Sequence, residues 1–219
     1  MTKTERLNEL FIEWESSYPK YKDRFVSDGI INESEFEKTN PKILVIAKES
    51  NNPKQLKEDY RVYWANEIKY RFSHRIAEWS YGILNDFPEL NNLTPKESEL
   101  KTKLSMIHKI AFMNLKKIGG GSTTIESDLK EYIEEDKAFI LREIEIINPD
   151  IIVGGIGNHS FWRILFPEIE MISSESGRFI AKVGKMKIIS FYHPSSWLTK
   201  AEIYLLLKKI FKSDSFTNL

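Results

Sequence analysis

Three short segments of this chain carry side chains that could do chemistry together. Lys48-Glu49-Ser50-Asn51-Asn52 holds a carboxylate just past an apolar run. Glu49 there could orient a water or stabilise a cationic transition state, or it could be an ordinary solvated loop glutamate. Asn114 closes the apolar run Ile110-Ala111-Phe112-Met113. Its amide both donates and accepts, which suits reading the edge of a flipped base and equally suits a buried amide satisfied by nearby backbone. His193 follows the apolar run ending at Tyr192 and precedes Pro194. Its imidazole could donate to a developing anion, or serve structurally by bonding a neighbouring carbonyl.

Around these lie residues suited to binding. Pro194-Ser195-Ser196-Trp197 joins a stiff proline, two hydroxyls able to meet phosphates and a large ring able to wedge into a base stack. The competing reading is a turn and helix cap, with Ser195 or Ser196 at the cap and Trp197 in the core. Gly119-Gly120-Gly121-Ser122 matches neither the P-loop nor the GxGxxG spacing. Its glycines could let backbone amides of Gly120 and Ser122 approach phosphates beside Lys116 and Lys117, or the loop could be a plain connector. His74, His108 and His159 have no ligand-like spacing to nearby carboxylates, so no metal site and no cofactor are expected.

These segments need a scaffold that brings them together. Residues of about 3–17 place Leu7, Leu10, Phe11 and Trp14 at helical spacing. Ile43–Ala47 reads as a strand buried on both faces. Helices are expected over about 60–71, 75–86 and 96–109, then a strand over Ile110–Leu115 and a helix over about 129–147, stopped at Asn148-Pro149. Strands over Asp150–Gly155 and Lys187–Tyr192 follow, separated by a short helix near 158–165 and an irregular region, and a last helix covers about 199–212. Trp14, Trp64, Trp79 and Trp162 fall in helical stripes and read as core. Alternating strands and helices predict an α/β fold, a mainly parallel sheet covered on both faces, whose ligand lies beyond the carboxyl ends of the strands. All three chemical segments directly follow a strand.

Bulk composition narrows the classes. A length of 219 residues fits one domain. With 32 basic and 32 acidic residues, any nucleic-acid surface must be a local patch. Cysteine is absent, which excludes disulfides, thiolate nucleophiles and cysteine-held metals. No segment approaches the roughly 20 apolar residues of a membrane span, and the N-terminus lacks the apolar core of a signal peptide, so a soluble cytoplasmic protein without a membrane partner or an obligate protein partner is expected.

The order of the loops resembles the uracil-DNA glycosylase superfamily, over about residues 42–210. The stretch Ala47-Lys48-Glu49-Ser50-Asn51 stands where the best-known branch has Gly-Gln-Asp-Pro-Tyr, Phe112-Met113-Asn114-Leu115 is similar to its pyrimidine-reading strand end, and Tyr192-His193-Pro194-Ser195-Ser196-Trp197 is similar to its His-Pro-Ser loop. The resemblance implies a three-layer sandwich with a central, mainly parallel four-stranded sheet flanked by helices; about 1–40, expected as an N-terminal helical extension, has no counterpart in it. It also implies a DNA glycosylase with no cofactor. Glu49 and His193 would be catalytic, Asn114 would read the base, and the 193–197 loop would enter duplex or single-stranded DNA. Phe72 is a candidate to stack on the base, against a plain core role. Asn51 replaces a ring that blocks bulky 5-substituents, so a modified pyrimidine such as hydroxymethylated or glucosylated cytosine of phage DNA, and with it an antiviral role, is expected ahead of uracil repair. A catalytically silent nucleic-acid-binding module is the alternative.

Overall fold

The computed structural model describes residues 1–89 and 96–219. Helix α1 (Lys3–Ser17) starts at a capping box in which Thr2 and Glu5 satisfy each other's backbone N–H groups, and it buries Leu7, Leu10, Phe11 and Trp14 as their spacing predicts. Two short strands follow, β1 (Val26–Ser27) and β2 (Gly29–Ile30), then α2 (Glu33–Lys38), capped by Asn32. Strand β3 (Ile43–Ala47) is buried at every residue. After β4 (Glu58–Asp59) come α3 (Tyr60–Asn66), α4 (Arg71–Leu84) and α5 (Lys96–His108). Strand β5 (Ala111–Asn114) leads to the long α6 (Glu126–Ile147), which ends on Asn148 in the left-handed conformation ahead of Pro149. The chain continues through β6 (Ile151–Gly154), α7 (Ser160–Leu165), β7 (Ile172–Ser173), β8 (Phe179–Val183), β9 (Met186–Ser190), α8 (Lys200–Phe211) and α9 (Asp214–Thr217).

Among the described residues the main sheet has seven strands in the order β2-β5-β3-β6-β9-β8-β7. The four-stranded, mainly parallel sheet expected from sequence is therefore corrected to a seven-stranded mixed one. β5, β3, β6 and β9 do run parallel, but β2 adds antiparallel to β5, and β8 and β7 add antiparallel beyond β9. The β8–β9 hairpin turns through Gly184 and Lys185, with Gly184 at φ 57. It falls in the region read as irregular because β8 is only five residues long and carries Lys182 within its apolar run, while β2 and β7 are too short to leave a periodicity.

Side chains alternate across the strands and divide the core in two. Leu44, Ile46, Met113, Ile152 and Ile188 face α1, α6 and α7, whereas Val45, Phe112, Val153 and Ile189 face α3, α4, α5 and α8. The first 40 residues are more than the expected helical extension, since Gly29–Ile30 joins the sheet edge and α1 packs along α6.

The chain leaves β3 to one side for β5 and to the other side for β6, so the strand order reverses between β3 and β6. Such a reversal opens a crevice at the carboxyl ends, because the two departing loops diverge. The packing below that crevice is tight: a Cβ on Gly154 would lie 2.2 Å from Trp162 Cζ2, whereas one on Gly121 would meet nothing within 4 Å. Gly154→Ala is expected to cost about 1–3 kcal/mol in urea unfolding, with Gly121→Ala within about 0.5 kcal/mol of the parent.

Candidate functional site

Pairing of β3 with β5 runs past the strand ends, where Leu115 and Lys116 donate their N–H groups to the carbonyls of Ala47 and Lys48 at 3.0 and 2.9 Å. This sets Glu49 opposite Lys116. The Glu49 side chain is only 5% exposed, and its Oε2 lies 2.9 Å from Lys116 Nζ, without a well-directed hydrogen bond. Lys116 also meets Asp128 Oδ2 at 2.5 Å, and its ammonium lies over the Tyr132 ring. Burial alone would lower the Lys116 pKa, but Asp128 and Glu49 outweigh it and hold the ammonium above its ordinary value. Glu49 is thus already engaged by Lys116.

The glycine-rich loop closes over this carboxylate. A Cβ on Gly120 would fall 2.5 Å from the Glu49 carboxyl group, and one on Gly119 would fall 2.5 Å from Asn52 Cβ. The Gly120 N–H donates to Ser50 O at 2.8 Å. Three expectations of phosphate contact are corrected here. Gly120 has already spent its amide, Lys116 is paired and buried, and Lys117 is fully buried between Asp28 and Glu143. Ser122 and Asn51 are exposed, Asn51 bridging to Gly120 beside Glu49.

Asn114 ends β5 at 1% exposure, opposite Ala47 on β3. Its backbone N–H donates to Asp28 Oδ2 at 2.7 Å, and its Nδ2 lies 3.4 Å from the same oxygen. Lys117 holds the other Asp28 oxygen and reaches Glu143 Oε2 at 2.9 Å. Burial pushes the Glu143 carboxyl well above the usual range, and the Asp28 charge adds to that against the opposing pull of Lys117.

His193 leaves β9 against the end of β6. A Cβ on Gly155 would sit 2.8 Å from Pro194 Cδ, so glycine there seats the 193–194 turn on the strand-reversal point. The Ser195 N–H donates to His193 Nδ1 at 3.2 Å, which assigns the proton of the neutral ring to Nε2. Burial, reinforced by the Lys48 ammonium, pushes the imidazole down to about 4. His193 is therefore a neutral donor at physiological pH. The Phe72 ring lies 5.4 Å from the His193 ring and 5.7 Å from Phe112, between the histidine and the core.

Trp197 is 83% exposed, which overturns the turn-and-cap reading that buried it; the cap of α8 is Thr199, paired with Glu202. Trp14, Trp64, Trp79 and Trp162 are buried as expected. What holds the loop beneath Trp197 was not read from sequence. Arg75, 3% exposed, donates to Pro194 O and Ser196 O at 3.2 Å each and to Leu198 O. Arg71, one turn earlier on α4, donates to Ser196 O and Leu198 O at 2.8 and 2.7 Å. The readable signal was an arginine pair at i, i+4 whose second member adjoins the apolar stripe Ile76, Trp79 and Ile83. Among the described residues no three His, Asp or Glu side chains are grouped to hold a metal ion.

No protein-family model matches the chain, and no curated protein matches it either. The chemistry therefore rests on geometry: one edge gathers a neutral imidazole donor, a buried carboxylate, a buried amide and an exposed indole on an arginine-braced loop.

The His193 shift carries a stability consequence with a definite sign. The unfolded imidazole binds its proton near pH 6.5 and the folded one near 4. Stability from the neutral ring is fully present above pH 6.5 and is lost as pH falls towards 4, to the extent of up to about 3 kcal/mol. Urea midpoints measured between pH 4 and 7 should fall for the parent and fall less for His193→Gln.

Proposed function

We propose that the chain is a DNA glycosylase that extrudes a pyrimidine nucleotide and hydrolyses its N-glycosidic bond, leaving an abasic site. The observation that carries this reading is His193, kept neutral by burial with its Nδ1 occupied, so that Nε2–H is the group it offers. As the glycosidic bond breaks, the electron pair goes to the base and an oxocarbenium-like cation forms on the sugar. A donor fixed before the reaction stabilises the anionic base without reorganisation, and a neutral imidazole does so without surrendering its proton to solvent. Glu49, positioned by Lys116, supplies a carboxylate for the sugar cation and an acceptor that orients water.

Recognition follows the same edge. Asn114 reads the base, Phe72 offers a ring face, and exposed Trp197, steadied through Arg71 and Arg75, fills the gap left in the stack. Ser122, Ser195 and Ser196 supply hydroxyls for the backbone. Asn51 leaves the first loop open, which favours a pyrimidine with a bulky 5-substituent, such as hydroxymethylated or glucosylated cytosine in phage DNA, and hence an antiviral role. No helix of the described residues is long and apolar enough to cross a membrane. The Glu49–Lys116 pair favours a second reading, a nucleic-acid-binding module without hydrolysis, because it engages the carboxylate within the protein.

Duplex and single-stranded oligonucleotides carrying uracil, hydroxymethylcytosine or its glucosylated form, incubated with the protein and treated with alkali, separate these readings. The expected outcome is strand scission at a modified cytosine, lowered about 10²–10³-fold in His193→Ala and in Glu49→Ala. Scission at uracil alone would assign the site to repair, and binding without scission would assign it to the module.

A further inference from the structure

The Asp28–Lys117–Glu143 cluster is fully buried, and no step above uses it. Three desolvated ionisable groups are costly to keep, so what they touch matters. They touch Asn114. Asp28 Oδ2 accepts the Asn114 backbone N–H at 2.7 Å and faces its side-chain Nδ2 at 3.4 Å. The Asp28 carboxylate is itself held by Lys117, and Lys117 by Glu143.

This arrangement removes a freedom that an asparagine normally has. Rotating an amide by half a turn about its last bond exchanges its oxygen and nitrogen, and an unconstrained amide reads either order of donor and acceptor. A carboxylate only accepts, so the Asn114 oxygen cannot face Asp28 without losing a hydrogen bond and setting two buried acceptors against each other. The nitrogen must face it. Because the same Asp28 oxygen also takes the residue's own backbone N–H, it lies on the main-chain side and receives the hydrogen that points back along the side chain. The other amide hydrogen and Oδ1 are then presented in one fixed order.

Resting on the base-excision reading above, we propose that Asp28, held by Lys117 and Glu143, is a specificity-determining residue that locks the Asn114 amide. The site then reads one order of donor and acceptor on a pyrimidine edge and rejects the reverse. Cytosine-type bases present an acceptor at N3 and a donor at position 4, and uracil-type bases present the reverse. A site with fixed polar groups rejects a mismatched partner strongly, since the mismatch leaves buried groups unpaired.

The test uses two oligonucleotides that share a 5-substituent and differ only in this edge, one with 5-hydroxymethylcytosine and one with 5-hydroxymethyluracil. For the parent protein, kcat/KM is expected to differ by at least about 100-fold between them. In Asp28→Asn, whose amide can donate as well as accept, the ratio should fall at least tenfold while the variant stays folded by circular dichroism. An unchanged ratio in the folded variant would overturn the lock and leave the glycosylase reading intact. A second measurement needs neither turnover nor a stable variant. In the 15N-labelled parent, one of the two Asn114 side-chain amide protons should be shifted downfield by its carboxylate acceptor and should exchange slowly with solvent. Two amide protons at random-coil shifts and in fast exchange, as on a surface asparagine, would overturn the lock. A shifted, slowly exchanging proton together with no excision of any base would sustain the lock and remove the glycosylase reading.

Discussion

Two consecutive lysines at the end of β5 set the constraint around which the rest is arranged. Both side chains run into protein on the α6 side of the sheet. Neither ammonium can be taken out of water alone, and removing one partner of a buried pair typically costs about 3–5 kcal/mol. Lys117 therefore draws Asp28 from the β1–β2 link and Glu143 from α6. Lys116 draws Glu49 from the β3 loop and Asp128 from the first turn of α6. Three elements far apart in the chain, the β1–β2 link, the β3 loop and α6, are thus tied by ion pairs to one strand end.

This tie explains why the first 40 residues belong to the body of the protein. Asp28 lies between two strands of two residues each, which have little pairing energy of their own. Its buried ion pair with Lys117, the packing of α1 on α6, the edge pairing of β2 to β5 and the pairing of β1 with β4 together hold that segment. The glycine-rich loop is drawn in by the same logic. Once Glu49 is folded down onto Lys116, the chain passing over it has room for no side chain at Gly120.

The opposite flank of the edge is built by a different device. His193 and Trp197 stand on a loop whose carbonyls converge on Arg71 and Arg75, and a guanidinium can serve several such acceptors at once from a rigid fork. Buried Arg75 fixes the turn and thereby permits Trp197 to remain in solvent with no packing of its own. Carbonyls held this way cost nothing when the loop meets a ligand, because they are already satisfied.

By itself the sequence determined what local patterning can determine. The 3.6-residue stripe of α1, the uninterrupted apolar runs of β3, β5 and β6, the Asn148-Pro149 stop and the positions of Glu49, Asn114 and His193 directly after strands are all consequences of neighbours in the chain. Burial of the four helical tryptophans follows from the same periodicity. Tertiary structure alone decided the seven-stranded mixed sheet, because strands of two residues have no period to read and pair only when an edge is offered. It alone turned Lys116 and Lys117 from surface cations into buried ones, since nothing adjacent in sequence announces Asp28, Asp128 or Glu143 as partners. It alone gave His193 its neutral ring, because burial and the nearby Lys48 charge come from elements that meet only in space.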